Sequence, residues 1–245
     1  VTSTGYNVVD GIAAREHDIP VCNVPEYGTH SVAQHTFALL LELTNHVGIN
    51  ARSVDEGDWS RHDDFSYSKL PIIELAGKTM GIVGMGKIGQ QVATIAKAMG
   101  MKVIYHSRSP KPGWPFWAML NEVFENSDFL SLHCPQSKEN TGFVNKSLLQ
   151  KMKPTSYLIN TSRGQLINEN DLAEILKRRC IAGAALDVLS QEPPPANHPL
   201  IGLSNCIVTP HNAWLSKEAR SRIMETSVLN VRMALQGQPL HVVND

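Results

Sequence analysis

An α/β fold built on a doubly wound, parallel sheet is the architecture this 245-residue chain predicts, and two observations carry it. From Lys78 onward, short apolar runs at residues 79–83, 102–106, 129–132, 157–160, 182–186 and 206–209 alternate with helical patterns. In such an alternation each strand returns parallel to its neighbour through a crossover helix. Between the first of these strands and the helix starting near Lys87 stands Gly84-Met85-Gly86-Lys87-Ile88-Gly89. Gly84 permits the tight turn, Gly86 lets phosphates approach the backbone without a Cβ in the way, and Gly89 allows close helix-to-strand packing. The helix amino end adds unpaired N–H donors and positive potential. Ile88, Val92, Ile95 and Met99 follow at helical spacing, so the glycines sit in a strand-turn-helix and read as a Rossmann-type, dinucleotide-binding turn.

Ahead of the alternation, residues 7–17 read as a short helix, and Ile19-Pro20-Val21-Cys22-Asn23-Val24 as a short buried strand closed by Pro25. Ser31 is positioned to cap a long helix whose residues Phe37, Leu40, Leu41, Thr44 and Val47 share one face, which is expected to pack against another domain or subunit. The polar stretch Asp58-Trp59-Ser60-Arg61-His62-Asp63-Asp64 follows as a loop. A last helix is expected from Ser216 to Gly237, where a glycine beyond the periodic segment gives a natural exit. Val1-Thr2-Ser3-Thr4-Gly5-Tyr6 reads like the end of a strand and a loop, without an initiator Met, so an upstream portion is expected.

Lys plus Arg total 22 against 23 Asp plus Glu, so the net charge of -1 offers no global attraction to nucleic acid or to an anionic membrane. The most apolar run, residues 37–41, is interrupted by Glu42 and is far too short to cross a bilayer. Cys22, Cys134, Cys180 and Cys206 form no CxxC pair and have no flanking histidines at zinc spacing. They read as reduced, mostly buried thiols of a cytoplasmic protein.

In a doubly wound sheet, ligands lie beyond the carboxyl ends of the strands. The second strand runs into Ser107 and Arg108, and no acid occurs from Lys102 until Glu122. A site selective for NAD would place a carboxylate there for the ribose 2′-hydroxyl; a hydroxyl and a guanidinium, with Lys111 nearby, suit a 2′-phosphate instead. This favours NADP. The plainer alternative makes Arg108 a solvated loop residue, in which case NAD also binds. The following strands run into Leu132-His133-Cys134-Pro135, Asn160-Thr161-Ser162-Arg163-Gly164, Asp187 and Pro210-His211-Asn212. An arginine at that edge can clamp a carboxylate, a histidine can exchange a proton near neutral pH, and a carboxylate can orient that histidine. Arg163, His211 and Glu192 fit those roles, although each alone also suits a surface arginine, a capped-loop histidine or a solvated glutamate.

With these residues in view, the chain resembles the D-2-hydroxyacid dehydrogenase family, most closely its glycerate dehydrogenase and glyoxylate/hydroxypyruvate reductase branch. The resembling segments are Thr4-Gly5-Tyr6-Asn7-Val8-Val9-Asp10, Asn23-Val24-Pro25 with Ser31-Val32-Ala33-Gln34-His35-Thr36, the glycine turn, the three segments ending in Pro135, Gly164 and Val188, Glu192-Pro193, and Thr209-Pro210-His211. The resemblance implies a catalytic trio of Arg163, Glu192 and His211. It also implies cofactor contacts at Gly84, Gly86, Lys87, Ile88, Gly89, Ser107, Arg108, His133, Cys134, Pro135, Thr141, Thr161, Ser162, Asp187 and His211, with Asp187 meeting the nicotinamide carboxamide. The implied reaction is hydride transfer between NADP, or NAD, and a small 2-keto or 2-hydroxy acid. The implied organisation is a partial flavodoxin-like substrate domain from residues 1–25 and 213–245 around a cofactor domain at 26–212, with homodimers formed through the long helix. Two departures stand out. Residues 107–133 are compact, with Trp114-Pro115-Phe116-Trp117-Ala118 where a third strand is expected, and the stretch that family members carry ahead of Thr4 is missing. Two alternatives stay open: a dinucleotide-sensing, corepressor-like binding protein, and a catalytically impaired fragment.

Overall fold

The computed structural model describes residues 1–6 and 8–244. Asn7, which opens the expected first helix and belongs to the first resembling segment, lies outside the described residues. The chain divides into two compact units, Val1–Val32 with Ala213–Asp245 and Ala33–Asn212.

The first unit holds α1 (Gly11–Glu16) and the start of α2 (Thr29–Asn45). Asp10 caps α1 by accepting from the Ile12 and Ala13 N–H groups, so this helix is shorter than residues 7–17. The strand expected over residues 19–24 is reduced to one antiparallel bridge, Cys22 with Val242. Pro20 has no N–H to give a ladder, and the Val21 N–H donates to the Asn244 side chain at 2.8 Å instead. Ser31 lies inside α2, not at its cap, and its hydroxyl donates to the Ala213 carbonyl at 2.6 Å.

In the second unit α2 continues, followed by α3 (Val47–Asp55), β1 (Thr79–Val83), α4 (Lys87–Ala98), β2 (Lys102–His106), α5 (Leu120–Asn126) and β3 (Phe129–Leu132). Then come α6 (Lys146–Leu149), β4 (Tyr157–Asn160), α7 (Glu169–Lys177), β5 (Gly183–Leu186) and β6 (Cys206–Val208); the first unit resumes with α8 (Lys217–Leu235). Ser216 caps α8, accepting from the Ala219 N–H at 3.1 Å. All strand pairs are parallel, in the order β2-β1-β3-β4-β5-β6. Alternate strand residues serve opposite faces: Met80, Ile82, Phe129, Ile159 and Ala185 join Phe37, Leu40 and Leu43 of α2 and Val92 and Ala96 of α4. Val83, Leu130, Leu132, Leu158 and Leu186 join Val123 and Phe124 of α5, Leu149 of α6 and Leu172 of α7. Each fully buried side chain of this size contributes about 1.5–3 kcal/mol, which is why the strands read as unbroken apolar runs.

The apolar face of α2, at Phe37, Leu40 and Leu43, packs on the sheet of the second unit. Val47 leaves its apolar face because His46, at φ 53°, breaks the helix and starts α3 with Val47 60% exposed. The segment at 114–118 meets the outer edge of β2 through one bridge, Tyr105 with Trp117, so the sheet ends at β2. The four cysteines are free and partly buried. No described helix is long and apolar enough to cross a membrane.

Candidate active site

The strand order reverses between β1 and β3, the point at which an open α/β sheet leaves a crevice beyond its carboxyl ends. The glycine turn sits there. Gly84 has φ 103°, and a Cβ on it would lie 2.4 Å from the Cys134 nitrogen and 2.5 Å from the His133 carbonyl carbon, so the turn presses directly on the segment after β3. A Cβ on Gly89 would lie 2.2 Å from the Gly84 carbonyl oxygen. At Gly86, the N-cap of α4, no heavy atom lies within 4 Å of that position. Backbone packed tightly on one side and open at the helix terminus is the cradle that a pyrophosphate needs, and the site fits a dinucleotide. Lys87 and Ile88 open α4 at this point.

From the glycine turn an unbroken run of contacts leads across the sheet edge. The Ser162 hydroxyl donates to the Cys134 carbonyl at 2.7 Å, and Thr161 shares a hydroxyl hydrogen bond with Thr36 at 3.1 Å. Buried Asn160 shapes the next turn, accepting from the Ser162 N–H at 3.0 Å and donating to the Arg163 carbonyl at 2.9 Å. Arg163 donates from one Nη to the Ser162 carbonyl at 2.8 Å. Gly164 then lies against the Leu189–Ser190 backbone. The Leu189 N–H donates to Glu192 Oε1 at 2.9 Å, while Glu192 Oε2 accepts from His211 Nδ1 at 2.6 Å. The Glu192 and His211 side chains are 35% and 39% exposed, open enough for a substrate to reach. With Nδ1 engaged, the remaining ring nitrogen, Nε2, is the one left to exchange a proton.

Asp187, 1% exposed, ties this turn together. Its carboxylate accepts from the Thr209 hydroxyl at 2.6 Å and the Asn212 N–H at 3.0 Å, and its carbonyl accepts from the His211 N–H at 2.8 Å. His35 Nε2 stands 3.2 Å from Thr209 Oγ1 and 3.4 Å from Asp187 Oδ1. The Asn212 side-chain oxygen is buried with no hydrogen-bond partner among the described residues, an acceptor left for an incoming donor. Burial pushes the His133 imidazole down to about 3 and the Cys134 thiol up to about 11, so both are uncharged near neutral pH; His133 Nε2 pairs with the Ser131 hydroxyl at 2.8 Å.

The other sequence-derived residues are gathered less tightly. Ser107 and Arg108 follow β2, where Tyr105 OH accepts from the Lys111 N–H at 2.8 Å and the Trp117 indole donates to the Ser107 carbonyl at 2.9 Å. The Ser107 hydroxyl already donates to the Ser109 carbonyl at 2.6 Å, which leaves the exposed Arg108 as the stronger candidate for an anion. Pro135 and Thr141 belong to a separate turn closed by Asn140 on the Pro135 carbonyl at 2.8 Å and Thr141 on the Ser137 carbonyl at 3.0 Å. His35, Asn160 and Thr209 received no role from the sequence. Each lay inside a resembling segment, but only the fold brings His35 to Thr209, 174 positions away.

Residues 37–213 match the model for the D-isomer specific 2-hydroxyacid dehydrogenase, NAD binding domain. The whole chain is similar to a hydroxypyruvate reductase of Blautia hydrogenotrophica, 46% identical over 248 residues, which cover 77% of that protein. Among solved structures, the TT0316 protein from Thermus thermophilus superposes with a TM-score of 0.91 at 39% identity, over 99% of this chain and 77% of that one. An NADPH-dependent glyoxylate/hydroxypyruvate reductase from Sinorhizobium meliloti, in complex with NADP and malonate, superposes with a TM-score of 0.89 at 31% identity, over 99% and 76% of the two chains.

Proposed function

This chain belongs to the D-isomer specific 2-hydroxyacid dehydrogenase family, and on that premise we propose that it reduces hydroxypyruvate or glyoxylate with NADPH in preference to NADH. It is an NAD(P)-dependent oxidoreductase acting on small 2-keto and 2-hydroxy acids. The observation that carries the reaction is the contact run from the glycine turn through the Arg163 turn to the Glu192–His211 pair, and the exposed Arg108, with no acid from Lys102 until Glu122, supports NADPH. Relatives named as reductases favour catalysis over the dinucleotide-sensing alternative.

A bound nicotinamide would supply the hydride for reduction and accept one in the reverse direction. In the reducing direction His211 gives the Nε2 proton to the substrate's carbonyl oxygen as negative charge develops there. Glu192 holds the ring through Nδ1 at 2.6 Å and so fixes its orientation for this step. Arg163 anchors the substrate carboxylate with two parallel N–H donors, which fixes the carbonyl in line for attack. Asp187, together with keeping the His211 turn in shape, receives the carboxamide. Arg108, exposed after β2, would hold the 2′-phosphate. Residues 1–25 and 213–245 contribute to the flavodoxin-like substrate domain. The protein pairs as a homodimer through α2 and the stretch after it, where Val47, Ile49, Trp59, Phe65 and Ile72 are exposed.

Initial rates with NADPH and NADH against hydroxypyruvate, glyoxylate and pyruvate test this reading. The highest kcat/KM is expected for NADPH with one of the first two acids. Absence of oxidation with every acid would overturn the reaction, and a wide preference for NADH would overturn the role of Arg108.

A further inference from the structure

The turn that carries Glu192 has no ladder of its own, so its backbone polar groups need partners from elsewhere. Glu192 divides its carboxylate between the Leu189 N–H, at 2.9 Å, and the His211 ring, at 2.6 Å. The direction of that carboxylate therefore depends on where the Leu189–Ser190 backbone lies. Three groups from one neighbouring segment hold it. Gly164 lets the backbones touch, since a Cβ there would lie 1.9 Å from the Leu189 carbonyl carbon and 2.3 Å from the Ser190 nitrogen. Gln165 donates to the Ser190 carbonyl at 2.9 Å. Glu169 accepts from the Ser190 N–H at 2.7 Å and also from the Ser190 hydroxyl. Glu169 is itself 12% exposed and backed by the buried His198, whose Nε2 stands 3.2 Å from its carboxylate.

We propose that Glu169, acting through Ser190, is a positioning residue for the reaction, locking the Glu192 turn to the Arg163 turn and so setting the aim of Glu192 at His211. The proposal rests on the roles given to Glu192 and His211 above. The segment to which Glu169 belongs begins at Gly164, one residue after Arg163, so the same lock holds the carboxylate anchor and the proton donor in one frame. A misplacement on the order of 1 Å in such a frame costs about 10²-fold in rate. Glu169 also begins α7, where an acid suits the helix terminus, but that service needs no contact with Ser190.

A double-mutant cycle on the whole protein separates these roles. Glu169→Ala is expected to lower kcat for glyoxylate or hydroxypyruvate reduction by about tenfold, to leave dinucleotide Kd within about twofold, and to alter the pH profile of kcat. In a Glu192→Gln background the same change is expected to cost less than about twofold, because the contact it serves is already lost. Ser190→Ala removes only a hydroxyl, leaves the first turn of α7 intact, and is expected to show the same loss in smaller measure, with the same dependence on Glu192. This variant carries the test should Glu169→Ala fail to fold. Parental kcat in both variants, or losses undiminished by Glu192→Gln, would overturn the proposal. Parental kcat in Glu192→Gln alone would instead remove the catalytic role of Glu192, and the positioning role would fall with it.

Discussion

His211 takes φ 51°, in the left-handed region that a histidine seldom occupies, and three contacts hold it there. Its N–H donates to the Asp187 carbonyl at 2.8 Å and the Thr209 carbonyl at 3.0 Å, and its ring donates to Glu192. A residue strained into place and engaged at Nδ1 is suited to one task at Nε2. His211→Ala is accordingly expected to lower kcat by on the order of 10² or more, the effect of losing a general acid, with dinucleotide affinity by fluorescence titration nearly unchanged. Comparable turnover in variant and parent would take His211 out of the mechanism. As candidates, Arg163, Glu192 and His211 could be picked out from the sequence because each follows a strand in a compact local pattern. Glu169 was not, since its partners Ser190 and His198 lie 21 and 29 positions away and a glutamate opening a helix is an ordinary sight.

Among the elements, β1, β3 and β4 are pinned at their amino ends by Asp128. Its N–H donates to the Thr79 carbonyl at 2.9 Å, its carboxylate accepts from the Thr79 N–H at 2.8 Å and from Lys153 at 2.9 Å, and its carbonyl accepts from the Tyr157 N–H at 3.0 Å. Burial works to raise the Asp128 pKa, but the Lys153 and Thr79 hydrogen bonds outweigh it and hold the carboxyl below its ordinary 3.8. A carboxylate more acidic folded than unfolded stabilises the fold fully above the unfolded value, and that stabilisation is lost as pH falls through the folded one. Asp128→Asn is therefore expected to lower unfolding stability by about 1 kcal/mol at pH 7. Denaturation at a series of pH values should find the difference shrinking below pH 3.8; a constant difference down to strong acid would refute the linkage. The first four strands were readable to the residue because β1, β3 and β4 are runs buried on both faces, and edge strand β2 alternates buried Val103 and Tyr105 with less buried neighbours. The expected strand at 19–24 failed, because a buried apolar run looks the same whether a ladder or a side chain such as Asn244 satisfies its backbone.

For the molecule as a whole, pairing should leave a measurable trace. Phe65 is 86% exposed and Trp59 51%, within a stretch after α2 that also exposes Ile49 and Ile72. Sedimentation at micromolar concentration is expected to return twice the monomer mass, and Trp59→Glu with Phe65→Glu is expected to return the monomer without loss of folded structure. A monomeric parent would overturn the homodimer. Local chemistry and periodicity encode the alternation that demands a parallel sheet, the glycines that keep the backbone open after β1, and the residue types that follow each strand. Tertiary structure alone decided which faces meet, as when α2 covered the sheet of the second unit, and which distant polar groups converge, as with His35 on Thr209 and Glu169 on Ser190. The reason is physical: strand and turn preferences act between near neighbours in the chain, whereas the aim of a catalytic carboxylate is set by hydrogen bonds that exist only once remote segments have packed.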